Sequence, residues 1–470
     1  MTKRNRPIRK HNRLLGLAIV LAVILIGLTV TAIWLGISPQ DNAPTKPSTQ
    51  PTVTTTPTTA PTTAPTTVPT EPPIVKESSF TLSAVGDMLM HIPVINTGYY
   101  ADTNSYNFDS IFTYLTDYIS SADYAMGNLE TTLAGPNFVH SPEKIGYSGY
   151  PQFNCPDAII DGMKTAGFDM VLTANNHSYD TRGVGLSRTL SVIRERELDY
   201  LGTKVAPEDP NFLVVERNGI RLGITCYTYE DSASLDIVAP NGITMNAEHA
   251  PLINAFDYAN LDLFYNELSE SMAQMEEQGA DAVVLLIHWG NEYQTKENAN
   301  QSTIAQALCD LGVDVIIGGH PHVVQPVELL TSTLDETQKT VCLYSMGNAV
   351  SNQRLGNISY VKTAHTEDGV LFSVTFSRYS DGTVILEDAD CLPTWVNLRT
   401  NPDNGRREYN ILPLDKQIED WHQLGLTDTT LVSAEASYDR TMAIVGEGMT
   451  AVDTYLQANQ AAVEESLGVK

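Results

Sequence analysis

His320 and His322 stand one residue apart at the end of an apolar run, Val313 to Ile317, that passes through Gly318 and Gly319. Neutral imidazole is the commonest protein ligand for metals. A residue before proline is pushed towards extended backbone, and in extended chain residues i and i+2 face one side. Pro321 is therefore expected to hold His320 extended, with both imidazoles aimed at one point and the glycines admitting a close backbone approach. Four other apolar runs end in similar chemistry. Asp281 to Ile287 leads into His288, and Phe168 to Thr173 leads into Asn175, Asn176, His177 and Asp180. Phe80 to Val85 leads into Gly86 and Asp87, with His91 close behind, and Asp123 to Met126 leads into Gly127, Asn128 and Glu130.

Short apolar runs read as buried parallel strands. Ligands in open α/β sheets bind beyond the carboxyl ends of the strands, so these five ends predict one shared site. Taken singly, Asp87 also fits a helix cap and Asn176 a turn; the set together points to metal. From about Ser78 to Val396 strands alternate with helices, expected over Phe108–Ile119, Pro156–Ala166, Gly183–Glu197, Ile253–Gln278 and Gln301–Leu311. This alternation predicts a mainly parallel central sheet. Phe212–Val215, Gly223–Tyr227, Val341–Tyr344 and Val370–Val374 read as a second sheet. Two sheets flanked by helices make a four-layer α/β/β/α sandwich.

The ends of the chain are different. Leu14 to Leu35 is an uncharged apolar run, about 33 Å long as a helix and so long enough to cross a bilayer. Six lysines or arginines and no acid precede it, which keeps residues 1–13 cytoplasmic and the bulk of the chain outside the cell membrane. The run lacks an Ala-x-Ala cleavage site, so an uncleaved single-pass anchor is favoured over a signal peptide. Residues 36–77 are a Pro/Thr-rich linker, whose extended form reaches roughly 100 Å. Residues 78–400 form the main domain, and 401–470 read as a peripheral helical extension.

The chain holds 28 basic and 56 acidic residues. Removing the six N-terminal cations leaves 22 against 56, a net −34 outside the membrane. Such a surface repels nucleic acid and excludes it as a partner. An anionic substrate then needs a local positive centre, which bound metal supplies. Five scattered cysteines, without Cys-x-x-Cys spacing, exclude a zinc ribbon or a dense disulfide framework. Cys309 and Cys342 read as small core residues.

Gly86-Asp87, Asn128-Leu129-Glu130, Ala174-Asn175-Asn176-His177, His288-Trp289-Gly290-Asn291-Glu292-Tyr293, Gly319-His320-Pro321-His322 and Tyr344-Ser345-Met346-Gly347-Asn348 together resemble the capsule synthesis protein CapA family. That family is associated with poly-γ-glutamate synthesis and belongs to the calcineurin-like metallophosphoesterase superfamily. The resemblance covers residues 78 to 400 and implies a sandwich of metallophosphoesterase type holding two divalent ions, manganese, iron or zinc. It implies that Asp87 and His322 bind the first metal, that Asn176, His288 and His320 bind the second, and that Glu130, or else Asn128, bridges them. His177 becomes a general acid or oxyanion stabiliser, and Asp180, three residues on, can orient its ring. The sequence departs from the superfamily's Asp-x-His, since Leu89 holds the histidine position and His91 is the nearest imidazole. It also has Gly127-Asn128-Leu129-Glu130 where the superfamily has Gly-Asp-x-x-Asp. The expected function is metal-assisted hydrolysis or transfer on poly-γ-glutamate or its precursor, alongside membrane synthase subunits. The alternatives are a non-catalytic accessory subunit of a polymer synthase or export complex, and a general extracellular metallophosphoesterase.

Overall fold

Two β-sheets carry the strand ends singled out by the sequence, in a computed structural model that describes residues 74–469 apart from 142–143, 231–237 and 360. In the first sheet the strand Lys76–Met88 runs parallel to Tyr124–Leu129, which continues through Met170–Leu172 to Asp199–Leu201. On its other side Lys76–Met88 pairs antiparallel with Asp368–Tyr379, followed by Val384–Thr400 and Arg407–Pro413. The short strand Asn348–Val350 lies parallel to its last residues. The second sheet has the order Ala255–Phe256, Ile220–Tyr229, Ala282–His288, Val315–Gly319, Lys339–Leu343, Val327–Thr331, and Phe212–Arg217 pairs back on Ile220–Tyr229. The fold is mixed α/β.

Period-2 alternation explains where the apolar side chains go. Phe80, Leu82, Tyr124, Met126 and Met170 of the first sheet share one buried cluster with Leu222, Ile224, Val284, Leu286, Val315 and Ile317 of the second. Each such side chain contributes about 1.5–3 kcal/mol when buried, so the two sheets form a firm base beneath their strand ends. The opposite face of the first sheet buries Ile111, Phe112, Ile159, Met163 and Ile193 from helices. The opposite face of the second buries Phe264, Leu268, Ile304 and Leu308. All five cysteines are free and buried, with Cys309 and Cys342 in that last apolar cluster.

Three assignments differ from expectation. Val370–Val374 belongs to the first sheet, where Val370 and Val374 pack in the shared cluster. The strands leading to His288 and His320 belong to the second sheet, so the five strand ends meet from two sheets rather than along one edge. The segment after residue 400 contributes an edge strand, Arg407–Pro413, as well as a 40-residue helix, Asp428–Leu467. That helix is not peripheral. Its Val445, Met449, Val452 and Leu456 recur at helical spacing and enter the shared cluster.

Helix positions follow local chemistry. Ala299–Leu311 starts at a capping box formed by Asn298 and Gln301 and ends at Gly312 in left-handed conformation. The span Phe108–Ile119 divides into Asp109–Phe112 and Thr116–Ser120. Thr113 and Thr116 turn their hydroxyls back onto the carbonyls four residues earlier, a bond that bends helices. Residues 14–35, expected to span a membrane, and the Pro/Thr-rich linker up to residue 73 lie outside the described residues. Among the described residues no helix is long and apolar enough to cross a membrane.

Candidate metal centre

Asp87 reaches the site through a bulge. On the Tyr124–Leu129 side Val85 pairs with Gly127 and Asp87 with Asn128, so Gly86 is an extra residue without a partner. Bulges re-aim the side chain that follows. Gly86 is needed there because a Cβ would lie 2.0 Å from the Gly347 carbonyl oxygen. Glu130 follows the neighbouring strand, and Asn175, Asn176 and His177 follow Met170–Leu172. From the second sheet, His288 ends Ala282–His288, and His320 and His322 follow Val315–Gly319. Gly318 lets that strand end approach the Tyr344 carbonyl, where a Cβ would lie at 1.9 Å.

The backbone at the two histidines is not extended as Pro321 led us to expect. His320 has φ +95° and His322 φ +57°, sparsely populated conformations that cost about 1–3 kcal/mol each and persist only where the surroundings enforce them. Four hydrogen bonds do so. Asp87 Oδ2 accepts the His320 N–H at 3.1 Å, and Trp289 N–H donates to the Gly319 carbonyl at 3.1 Å. Tyr293 N–H donates to the Pro321 carbonyl at 2.8 Å, and Asn348 Nδ2 to the His322 carbonyl at 3.2 Å.

The result is one buried cluster. Glu130 Oε1 lies 3.4 Å from His288 Nε2, 3.8 Å from His322 Nε2 and 4.0 Å from His177 Nε2. His322 Nδ1 is 3.1 Å from Asp87 Oδ2, and His288 Nε2 is 3.1 Å from Asn176 Oδ1. The His288 and His320 rings sit 4.9 Å apart. Both Glu130 carboxylate oxygens and His320 Nδ1 are buried without a hydrogen-bond partner. Among the described residues no lysine or arginine pairs with Asp87 or Glu130.

Burying two carboxylates without a cation is costly, and the orphaned atoms point to a charge they are built to hold. Two groups of donors converge within 4.8 Å, Glu130 with His320 and His322, and Asp87 with Glu130 and His288. They share Glu130, and they group His320 with His322 and Asp87 with His288, rather than Asp87 with His322 and His288 with His320 as the resemblance implies. Oxygen and imidazole donors match manganese, iron or zinc, so these residues fit the divalent ions.

The surrounding charges set each proton. Burial works against ionising Asp87, but His322 and His288, with the Asn128 hydrogen bond, outweigh it and hold the carboxyl below its ordinary value. Burial also opposes protonation of His322, yet Glu130 and Asp87 push that imidazole up to about 9. His320 is held well below the usual histidine value by burial and by the neighbouring imidazoles. His177, despite burial, is raised by Asp180 and Glu130.

His177 is held on its far side. Its Nδ1 lies 2.7 Å from Asp180 Oδ2, leaving Nε2 towards Glu130. Asp180 also accepts from Phe153 N–H at 2.6 Å and Asn241 Nδ2 at 3.0 Å. Asn128 donates to Asp87 Oδ1 at 2.7 Å and accepts from Asn175 Nδ2 at 3.0 Å, so its amide orients Asp87. His91 stands apart. Its Nδ1 lies 3.3 Å from the Leu89 carbonyl, its ring packs edge-on against Phe153, and burial lowers its pKa to about 4.

Sequence reasoning passed over four residues that touch this arrangement. Tyr229, whose hydroxyl is 3.3 Å from His320 Nε2, ends an apolar strand as the other site residues do, and that signal could have found it. Asn175 and Asn348 lay within quoted motifs without a role. Asn241 arrives from a distant loop with no local signal.

The bacterial capsule synthesis protein family PGA_cap matches residues 81–353. That span contains every residue of the cluster. The chain belongs to this family. It is 27% identical over 320 residues to the capsule biosynthesis protein CapA of Bacillus anthracis, covering 66% of this chain and 67% of that one. It is 28% identical over 291 residues to the PGA biosynthesis protein CapA of Bacillus subtilis (strain 168), covering 60% and 67%. The crystal structure of TT1561 of Thermus thermophilus aligns with 63% of this chain and 94% of its own, at 9% identity and a TM-score of 0.31, a likeness too weak to bear on the fold.

Proposed function

We propose that the protein acts in poly-γ-glutamate capsule production as a membrane-anchored, extracellular metalloprotein. In this reading it is a four-layer α/β/β/α sandwich of metallophosphoesterase type that hydrolyses or transfers a phosphoester or amide of the polymer or its precursor. Family membership and the two CapA relatives support the capsule role. The apolar run Leu14 to Leu35, preceded by six cations, supports the anchor. The observation that carries the chemistry is Glu130, whose two unpartnered carboxylate oxygens lie among imidazoles of both sheets.

Asp87, Glu130, Asn176, His288, His320 and His322 would hold two divalent ions, with Glu130 shared. Bound there, the ions supply positive charge against the negative charge that builds on a phosphoryl or carbonyl oxygen. His177 gives its Nε2 proton to the departing oxygen or nitrogen, while Asp180 fixes the ring through Nδ1 and stabilises its charged form.

A second reading, an accessory subunit that guides polymer for a membrane synthase, is favoured by Asn128. Its amide donates to Asp87 where the superfamily pattern has an aspartate. Capsule yield separates the two. Loss of cell-associated polymer with His320→Ala and with His177→Ala is the expected result, whereas polymer made at wild-type level by both variants leaves the accessory role. Turnover of a generic aryl phosphate with added manganese, abolished by His177→Ala and unaccompanied by any capsule defect, would instead make the chain a general phosphoesterase.

A further inference from the structure

A cavity of about 740 Å³ opens beside the first sheet, lined among others by Arg406, Arg407, Asn352, Asn357, Tyr409 and Tyr99. Its cations are notable in a chain with twice as many acids as bases. Arg406 is fixed in place: Nη2 donates to the Thr97 and Tyr99 carbonyls at 3.0 and 2.7 Å, and the guanidinium sits 3.8 Å from the Tyr100 ring centre. Arg407 is exposed, and among the described residues it has no ion pair.

Packed side chains connect the cavity lining to the metal cluster. Asn352 accepts from the Tyr409 hydroxyl at 2.7 Å and from Asn357 Nδ2 at 3.2 Å, and its backbone N–H faces His91 Nδ1 at 3.4 Å. His91 packs edge-on against Phe153, which packs edge-on against His177. His91 Nε2 is buried without a partner. A contact path therefore runs from the cavity lining to the histidine beside Glu130.

We propose that this cavity is a carboxylate-binding subsite that seats a free α-carboxylate of a γ-linked polyglutamate chain. This rests on the reading of the polymer as substrate. Guanidinium matches carboxylate bidentately, and a positive pocket on an otherwise repelling acidic surface selects where a polyanion can settle. Tyrosine and asparagine side chains complete a polar lining that accepts the peptide links between carboxylates.

The test is equilibrium binding to the full chain of a fluorescent γ-linked glutamate decamer, with its neutral γ-linked isoglutamine counterpart, whose α-carboxylates are amides, and inorganic phosphate as competitors. Losing one charge-assisted pair weakens binding by roughly tenfold or more. Arg407→Gln is expected to do so, Arg407→Glu to do more, and Arg407→Lys to retain part of the affinity, all with unchanged metal content. Neither competitor is expected to displace the decamer. Decamer affinity unaltered by Arg407→Glu overturns the subsite alone, as does displacement by the neutral oligomer. Displacement by phosphate at matching concentration also overturns it, reassigning the cavity to phosphate. Failure of the wild-type chain to bind the decamer at all overturns the polymer reading with it.

Discussion

The two sheets supply different halves of the metal centre. The first delivers oxygen: Asp87 and Glu130 leave adjacent parallel strands, and the Asn128 and Asn175 amides link Asp87 to the loop that carries His177. The second delivers nitrogen: His320 and His322 hang on left-handed backbone beyond their strand, pinned by bonds from elsewhere. Asp87, re-aimed by the bulge at Gly86, Glu130, just past its strand, and His288, the last residue of its strand, are placed by the sheets themselves. His320 and His322 are placed at the expense of backbone strain, which the meeting of both sheets sustains.

The largest effect is expected where the halves touch. Glu130→Gln keeps the shape but removes the charge that both donor groups share, and metal affinity should fall by more than about 100-fold by equilibrium dialysis, since a direct ligand matters more than its supports. His320→Ala/His322→Ala should abolish binding as fully, from the opposite sheet. Asn128→Ala leaves every donor in place but frees Asp87 to rotate; a loss of about 10–100-fold is expected. An unchanged affinity there would mean that the first sheet does not depend on amide orientation.

Arg440→Ala should move the metal site least and stability most. Arg440 and Ser437 of the long C-terminal helix both bond to the buried Asp368, with distances of 2.6 to 2.8 Å. Leaving that carboxylate without its guanidinium, with only Ser437 and His365 beside it, should cost about 3 kcal/mol in urea denaturation, with metal content per folded chain unaltered.

Even the single strand Val315–Gly319 differs between its ends. At its entry, burial pushes Asp314 up to about 6, despite the bond it accepts from Val283 N–H. A carboxyl raised in the folded state contributes stability that is fully present below its unfolded value near 3.8 and is lost as pH rises through 6. Asp314→Asn keeps an acceptor for Val283, so it should flatten the stability profile between about pH 4 and 6 and stabilise the chain at neutral pH by roughly 1–3 kcal/mol.

Most donors were legible because each follows an apolar run, and Asp87, Glu130, Asn176, His288, His320 and His322 all reach the cluster. Which sheet carried each strand was legible only in part: Phe212–Val215, Gly223–Tyr227 and Val341–Leu343 lie in the second sheet as read, whereas Val370–Val374 and the strands leading to His288 and His320 do not lie where they were expected. Apolar runs such as Val370–Val374 and Ala282–Ile287 look alike, and pairing is decided by partners far away in the chain. The left-handed histidines were hidden for a related reason. Pro321 favours an extended predecessor locally, and bonds from Asp87 and Asn348 override that preference. The C-terminal helix looked peripheral because its apolar stripe is interrupted by Ser437 and Thr441, which are nonetheless buried.

The most direct experiment is elemental analysis of the full chain purified without chelator, alongside Glu130→Gln. Close to two manganese, iron or zinc ions per wild-type chain, absent from the variant, is the expected result. A wild-type chain that takes up none of these ions after reconstitution, or a variant that binds as many, would contradict a metal centre built around Glu130.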